Sequence, residues 1–339
     1  MSFKDIHGHE KQIRILQNAA LGNRLSHAYL FYGMEGIGKT TVAASFAKAL
    51  NCEIHKDTET GLSAGNGDFD SCDHCSSCFK AARNNHPDII TIKPDKQFIR
   101  IKEIREIQEQ MNFAPLEGRM RVFMMPDAEK MNIVSANALL KTLEEPSRSN
   151  ILILITASPH QLPVTIVSRC QPVRFNPLKN ETIASFLQER LSLESGKAVD
   201  VASSSAGSIG KALAMSDDLY LESRNEILRI MLMDPEKEPL KFMSMVSHFS
   251  RDKGNISDTF NILLSGYRDA LVYKETANKG SLVNRQSIDV IKSVAYGLSG
   301  REILQNIRTI DWAIQAIARN ANKQLTLEAM LFKFARCHD

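Results

Sequence analysis

AYLFYGMEGIGKTTVAASFAKAL (residues 28–50) opens with five apolar and aromatic residues, turns through glycines and closes in a run of helix formers. Val42, Phe46 and Ala49 recur at helical spacing, so the order is strand, loop, helix. The loop GMEGIGKT (residues 33–40) fits G-x-x-x-x-G-K-[ST]. Its glycines let backbone N–H groups curl around phosphate oxygens, and the following helix turns its positive end toward the same anion. The candidate nucleotide-binding residues are therefore Gly33, Gly36, Gly38, Lys39, Thr40 and Thr41. Lys39 is expected to reach the outer phosphates of ATP or ADP, and Thr40 to offer its hydroxyl to Mg2+. A bare pattern match arises by chance, and the flanking strand and helix are what give this one weight. The alternatives are a retained loop that no longer binds, or one that binds only ADP.

Further along, RVFMM (121–125) and ILILIT (151–156) read as buried strands, and residues 98–112 read as helical. NIVSANALLKTLEEP (132–146) reads as a helix with Asn132 as N-cap, Ala136, Leu139, Leu140 and Leu143 on one face, and Pro146 as its stop. Continuously apolar strands alternating with helices predict an α/β fold with a parallel sheet covered on both faces. After Pro177 only Pro235 and Pro239 occur, and patterns such as ISDTFNILLSGYRDALVY repeat apolar residues at three and four. That half is expected to be all-α. Boundaries near 174 and 217 divide the chain into 1–174, 175–216 and 217–339. There is no internal repeat.

With 339 residues, 43% of them hydrophobic and 24% charged, the chain has the composition of a soluble protein of two or three domains. A net charge of +3 is too small to argue for nucleic acid by itself. No apolar run approaches the roughly 20 residues of a spanning helix, so no membrane partner is expected. MSFKDIHGHE lacks the apolar region of a secretory signal, and the expected compartment is the cytoplasm. The six cysteines then read as ligands or thiols before disulfides.

Cys72, Cys75 and Cys78 form C-x-x-C-x-x-C, with Cys52 upstream. Four thiolates suit tetrahedral Zn2+, and with every position filled by protein such a site is structural. Free thiols and an iron–sulfur centre are the alternatives. Cys170 and Cys337 are isolated. The polar stretch 53–71 reads as an exposed loop with no derivable role between Cys52 and Cys72.

RLSHAYLFYGMEGIGKTTVA (24–43), NALLKTLEEP (137–146) and LPVTIVSRCQ (162–171) closely resemble the clamp-loader subunits of bacterial DNA polymerase III. The resemblance is strong over about residues 1–213 and weaker beyond, although NANKQLTLEAMLFKF still resembles the last helix of the family's collar. It implies an AAA+ module, meaning a RecA-like P-loop domain carrying a zinc module at about 52–78 and then a small helical lid, followed by a helical collar domain for oligomerisation. It implies partners too: gamma/tau and delta subunits in a five-subunit ring, the sliding clamp, and primer–template DNA reached through the assembly. An unrelated P-loop kinase or nucleic-acid ATPase would leave the SRC and LLKTLEEP matches unexplained. Nothing in the chain indicates polymerase chemistry of its own.

Within the family, gamma/tau subunits are the ATPase motors and delta-prime is the poor or inactive ATPase. A motor would carry Asp-Glu directly after the four apolar residues, where this chain has Pro126-Asp127. Magnesium needs a carboxylate at the strand end, and hydrolysis needs a residue that positions water. Proline does neither. A bulge at Pro126 could return Asp127 toward the metal, but Ala128 would follow it, and Glu129 is a further step out. Gly210 stands where a motor's lid carries a phosphate-sensing arginine, and HPDIITIKPD (86–95) also looks more like delta-prime. The resemblance gives Arg169, in Ser168-Arg169-Cys170, the role of an arginine finger acting in trans on a neighbour's ATP; its alternative is an arginine paired inside its own subunit. Thr156 matches a sensor position, or is a plain strand-end threonine. Lys141, Glu144 and Glu145 receive no role.

Overall fold

In the computed structural model the run 28–32 is β1 (Ala28–Tyr32), one strand of a five-stranded sheet whose others are β2 (Ile89–Thr91), β3 (Arg121–Met125), β4 (Asn150–Thr156) and β5 (Gln171–Arg174), in the order β2-β3-β4-β1-β5. Residues 1–55, 69–92, 94, 98–147, 149–233, 237, 240, 244, 256–319 and 321–334 are described. The chain divides into one unit of Met1–Ala198 with Ala206–Lys211, and a second of Val199–Ser205 with Ala212–Asp339.

In the first unit, α1 (Glu10–Leu21), β1, α2 (Lys39–Leu50), α3 (Ser76–Ala82), β2 (Ile89–Thr91) and α4 (Ile101–Met111) precede β3 (Arg121–Met125). Then follow α5 (Ile133–Glu144), β4 (Asn150–Thr156), α6 (Val164–Val167), β5 (Gln171–Arg174) and α7 (Asn180–Leu191). Every strand pairing is parallel, and Tyr32 is level with both Thr156 and Arg174. Parallel strands need crossovers, and the crossover helices cover both faces. Tyr29, Phe31, Val122, Ile151 and Ile153 enter one core with Leu16, Val42 and Phe46. Leu30, Phe123, Met125, Leu152 and Leu154 enter the other with Ile104, Leu139 and Ile166. This alternation explains the unbroken apolar runs: β1, β3 and β4 are buried on two sides.

The helix over 132–146 is as the pattern predicts. Asn132 Oδ1 accepts from Ser135 N at 2.8 Å, and the helix stops at Glu144. The helix within 98–112 starts later, at Ile101, because Ile99 is bridged to Met131 and Arg100 is the N-cap. Of the polar stretch 53–71, residues 56–68 lie outside the described residues. Its described end is not an exposed loop: Phe69 is fully buried and stacks on His55 at 4.6 Å.

α8 (Ser195–Ser204) and α9 (Ile209–Met215) run through the stretch where the units alternate. The second unit continues with α10 (Asp218–Arg229), α11 (Ile256–Thr276), α12 (Ile288–Gly297), α13 (Gly300–Ala318) and α14 (Lys323–Phe332). Past Arg174 the described residues contain no strand. Leu228, Phe260, Leu263, Tyr267, Ile291, Ile303 and Met330 share its core. Asp269, fully buried, accepts from Val283 N and Asn284 N and clamps the turn before α12. Ser299 and Glu302 form a reciprocal capping box that starts α13. Among the described residues, no helix is long and apolar enough to cross a membrane.

Candidate functional site: a phosphate loop and a four-cysteine cluster

The loop leaves the carboxyl end of β1, where Gly33, Gly36 and Gly38 take positive φ of 152°, 69° and 109°. These values favour glycine, and crowding adds to the demand: a Cβ at Gly33 would run into the Phe175 carbonyl. Gly38 caps α2, whose first residue is Lys39. Lys39 is buried, and its Nζ donates to Gly33 O and Met34 O, 2.7 Å each, arching back over the loop. Burial lowers its pKa, with Glu129, Glu35 and Asp127 partly offsetting that cost. Thr40 is exposed in the first turn of α2, and Thr41 is half-buried. His9, itself left-handed at φ 63°, holds the far side of the loop through Nε2 to Ile37 O at 2.8 Å. Burial also lowers the His9 pKa, which suits a neutral ring donating from Nε2.

The segment 208–210 closes over the same loop. Ser208 Oγ donates to Glu35 O at 2.9 Å, and Gly210 N donates to Gly36 O at 2.7 Å. A Cβ on Gly210 would lie 2.8 Å from Gly36 Cα and 3.0 Å from its carbonyl oxygen. The position compared with a motor's arginine therefore has no room for any side chain in this arrangement.

β3 ends at Met125, and a turn carries the chain through Pro126 and Asp127. Asp127 is left-handed (φ 52°), exposed, and paired with Lys130 at 2.8 Å. A single 3-10 turn over Ala128–Lys130 comes next. It carries Glu129 to the end of β4, where Oε1 accepts from Ala157 N at 3.3 Å. Counting along a strand puts Glu129 too far out, because a turn and not a strand succeeds Met125. Thr156, 1% exposed, accepts from Ser158 N at 2.9 Å, closing the turn after β4.

Cys52, just beyond α2, meets Cys72, Cys75 and Cys78, and all four sulfurs lie within 4.8 Å of one another. Three separations are 3.5 Å (Cys52–Cys78), 3.9 Å (Cys52–Cys75) and 3.9 Å (Cys72–Cys78). Tetrahedral Zn–S bonds of about 2.3 Å imply sulfurs about 3.8 Å apart, close to these three separations, so the set could hold a metal ion. Backbone N–H groups support the sulfurs: Cys72 N donates to Cys52 Sγ (3.3 Å) and Cys78 N to Cys75 Sγ (3.4 Å). Cys170 stands apart, buried, its thiol pushed up to about 12 by burial. Cys337 lies outside the described residues.

Arg169, on the connection from α6 to β5, is exposed and bound within its own chain. Its Nη2 lies 2.8 Å from Glu144 Oε1, and its Nη1 donates to Thr165 O at 3.0 Å. Glu144 is a residue to which the sequence alone assigned no role. Asp88 is another: fully buried, it accepts from the backbone of Leu116, Glu117 and Gly118 and pairs with Arg121 at 3.1 Å. That pair fixes the turn into β3. The buried aspartate within HPDIITIKPD was its one signal in the sequence. His9 and Ser208 had none, since each acts on a loop distant in the chain.

Two family models match. One described as DNA polymerase III, delta subunit, covers residues 8–179, and one described as DNA polymerase III, delta subunit, C terminal, covers residues 219–336. DNA polymerase III subunit tau of Bacillus subtilis (strain 168) is 32% identical over 312 residues, 85% of this chain and 53% of that protein. The chain thus spans about half the length of that relative. DNA polymerase III subunit delta' of the same organism is 27% identical over 336 residues, 98% of each chain. Among solved structures, a DNA polymerase III gamma subunit-related protein of Thermotoga maritima is 19% identical, covers 95% of this chain and 97% of that one, and gives a TM-score of 0.44.

Proposed function

We propose, from the premise that this chain belongs to the DNA polymerase III delta-subunit family, that it is a delta-prime-like clamp-loader subunit which grips nucleotide, turns it over little, and lends Arg169 to a neighbour. The observation that carries this reading is the contrast at the sheet's carboxyl edge. The loop has the positive φ and buried lysine that a phosphate site needs, while Pro126 and the exposed Asp127 follow β3 where the family resemblance puts a motor's Asp-Glu. Gly33, Gly36, Gly38 and Lys39 would hold the phosphates, and Thr40 would face Mg2+, which supplies charge neutralisation when bound. Lys39, which donates to two loop carbonyls, would exchange them for phosphate oxygens.

Cys52, Cys72, Cys75 and Cys78 would hold a structural Zn2+, joining the end of α2 to α3. The partners are gamma/tau and delta subunits in a five-subunit ring acting on the sliding clamp at primer–template DNA. The division at 174 and 216 into nucleotide-binding, lid and collar parts belongs to the same reading. The likeness to tau favours a second reading, an ATPase motor. The test compares ATP turnover by the chain alone and by a reconstituted loader with clamp and primed DNA, using wild type and Arg169→Ala. The delta-prime reading expects silence from the chain alone and a slowed loader with the substitution. Brisk turnover by the chain alone would favour the motor.

A further inference from the structure

β4 and β1 run in parallel with Thr156 level with Tyr32, so Ala157 and Gly33 each stand one residue beyond the same level of the sheet. Neighbouring strands are about 4.8 Å apart. A side chain fastened to Ala157 N is therefore beside the root of the phosphate loop, and Glu129 is that side chain. Its other oxygen, Oε2, is buried and accepts no hydrogen bond among the described residues. Shielding a carboxylate oxygen from water with no donor is costly, and folded proteins seldom keep one without a use.

We propose that Glu129 is the carboxylate this chain presents to the cation of a bound magnesium nucleotide, in place of the strand-end acid that Pro126 displaces. This rests on the reading of residues 33–40 as a nucleotide site. The other acids near Lys39 are Asp127 and Glu35, both open to water, so neither holds an unpartnered buried oxygen. Asp127 is exposed and paired with Lys130, and Glu35 is exposed. Glu129 also leads the charges that act on Lys39.

The local chain geometry explains the substitution. Pro126 succeeds β3, Asp127 turns left-handed, and the turn closes with Lys130 N to Asp127 O (2.9 Å) and Met131 N to Ala128 O (3.1 Å). Ala128 is fully buried and anchors the turn, which sends the next side chain across the ends of the strands. The acid is borne by a turn, and the residue after it is Lys130, exposed and tied to Asp127. A cation can be held in this way while no second carboxylate is adjacent to activate water, which matches binding without turnover.

The test is fluorescent methylanthraniloyl-ATP binding to the full chain, in Mg2+ and in EDTA, for wild type, Glu129→Gln, Glu129→Asp, Asp127→Asn and Lys39→Ala. Wild type is expected to bind more tightly in Mg2+. Glu129→Gln should lose about tenfold in Mg2+ and nothing in EDTA, with Glu129→Asp recovering part of it. Asp127→Asn should keep the Mg2+ dependence. Melting curves check that each variant is folded, and Mn2+ electron paramagnetic resonance of the wild-type complex reads cation capture directly. Loss of the Mg2+ dependence in Asp127→Asn but not in Glu129→Gln overturns the proposal and leaves the nucleotide site intact. So does wild-type binding indifferent to Mg2+. Wild type that binds nucleotide in neither condition, like Lys39→Ala, removes the nucleotide site itself and the proposal with it.

Discussion

Arg169 and Glu144 form an ion pair of 2.8 Å that joins the α6–β5 connection to the last turn of α5. The guanidinium stands near the carbonyl end of that helix, where positive charge is favoured. Both groups are solvent-exposed. The pair therefore holds Arg169 at home weakly, and a neighbour's phosphate can compete for it.

Glu144→Gln should raise turnover of the reconstituted loader by up to about fivefold, because releasing an exposed pair costs at most ~1 kcal/mol. Arg169→Ala should lower turnover at least about tenfold. Steady-state ATPase assays at matched assembly, verified by gel filtration, separate the two. If Glu144→Gln proves as damaging as Arg169→Ala, then Glu144 positions the finger instead of competing for it.

Gly210→Ala should destabilise the first unit by about 1–3 kcal/mol through its approach to Gly36, since backbone on both sides leaves little room to yield. Gly196→Ala is the control. It lies in α8 with nothing within 4 Å of its added Cβ, and should gain about 0.5–1 kcal/mol from helix propensity alone. Urea unfolding of both variants is the measurement. Equal effects would mean that the 208–210 segment does not rest on the loop.

The purified protein should carry one zinc ion, measured by inductively coupled plasma mass spectrometry. Cys78→Ser should lose it and soften the first unit by several kcal/mol, because metal binding is part of folding in such modules. Cys170→Ser should leave metal content unchanged. The Cys170 thiol should alkylate slowly at neutral pH, being buried and pushed up to about 12. Visible absorbance with iron in place of zinc would reassign the cluster.

Asp88→Asn should cost about 3–5 kcal/mol, because an amide nitrogen would face either Arg121 and Leu116 N in place of Oδ1, or Glu117 N and Gly118 N in place of Oδ2. Burial pushes the Asp88 pKa up. The N–H groups of Gly118, Glu117 and Leu116, with Arg121, outweigh it and hold the carboxyl below its usual value. A depressed folded pKa means stability that is complete above the unfolded value of about 3.9 and lost as pH falls through the folded one. Acid titration should therefore show wild type losing more stability below about pH 4 than Asp88→Asn does. Parallel acid profiles would show that Asp88 is not the linked group.

The strands were legible because burial on both faces leaves an unbroken apolar run, as in RVFMM and ILILIT. The phosphate loop was legible because positive φ demands glycine at fixed offsets, and the cysteines because a C-x-x-C turn brings sulfurs together locally. The contact of Glu129 with Ala157 N was not legible in the sequence. A residue's direction after a strand depends on whether the strand continues, and Pro126-Asp127 turned the chain where counting assumed a straight path.

The amino-acid order was enough to place the strand–loop–helix unit, the helical second half and the missing strand-end acid, since each is written in neighbours within a few residues. Folding alone decided the rest. The Gly210–Gly36 contact spans residues far apart in the chain, as do His9 on Ile37, Asp88 beneath the turn into β3 and Glu144 against Arg169. Their spacing in the chain bears no relation to their separation in space. Only the sheet order, which sets β1 between β4 and β5, brings Glu129, Lys39 and the loop to one edge.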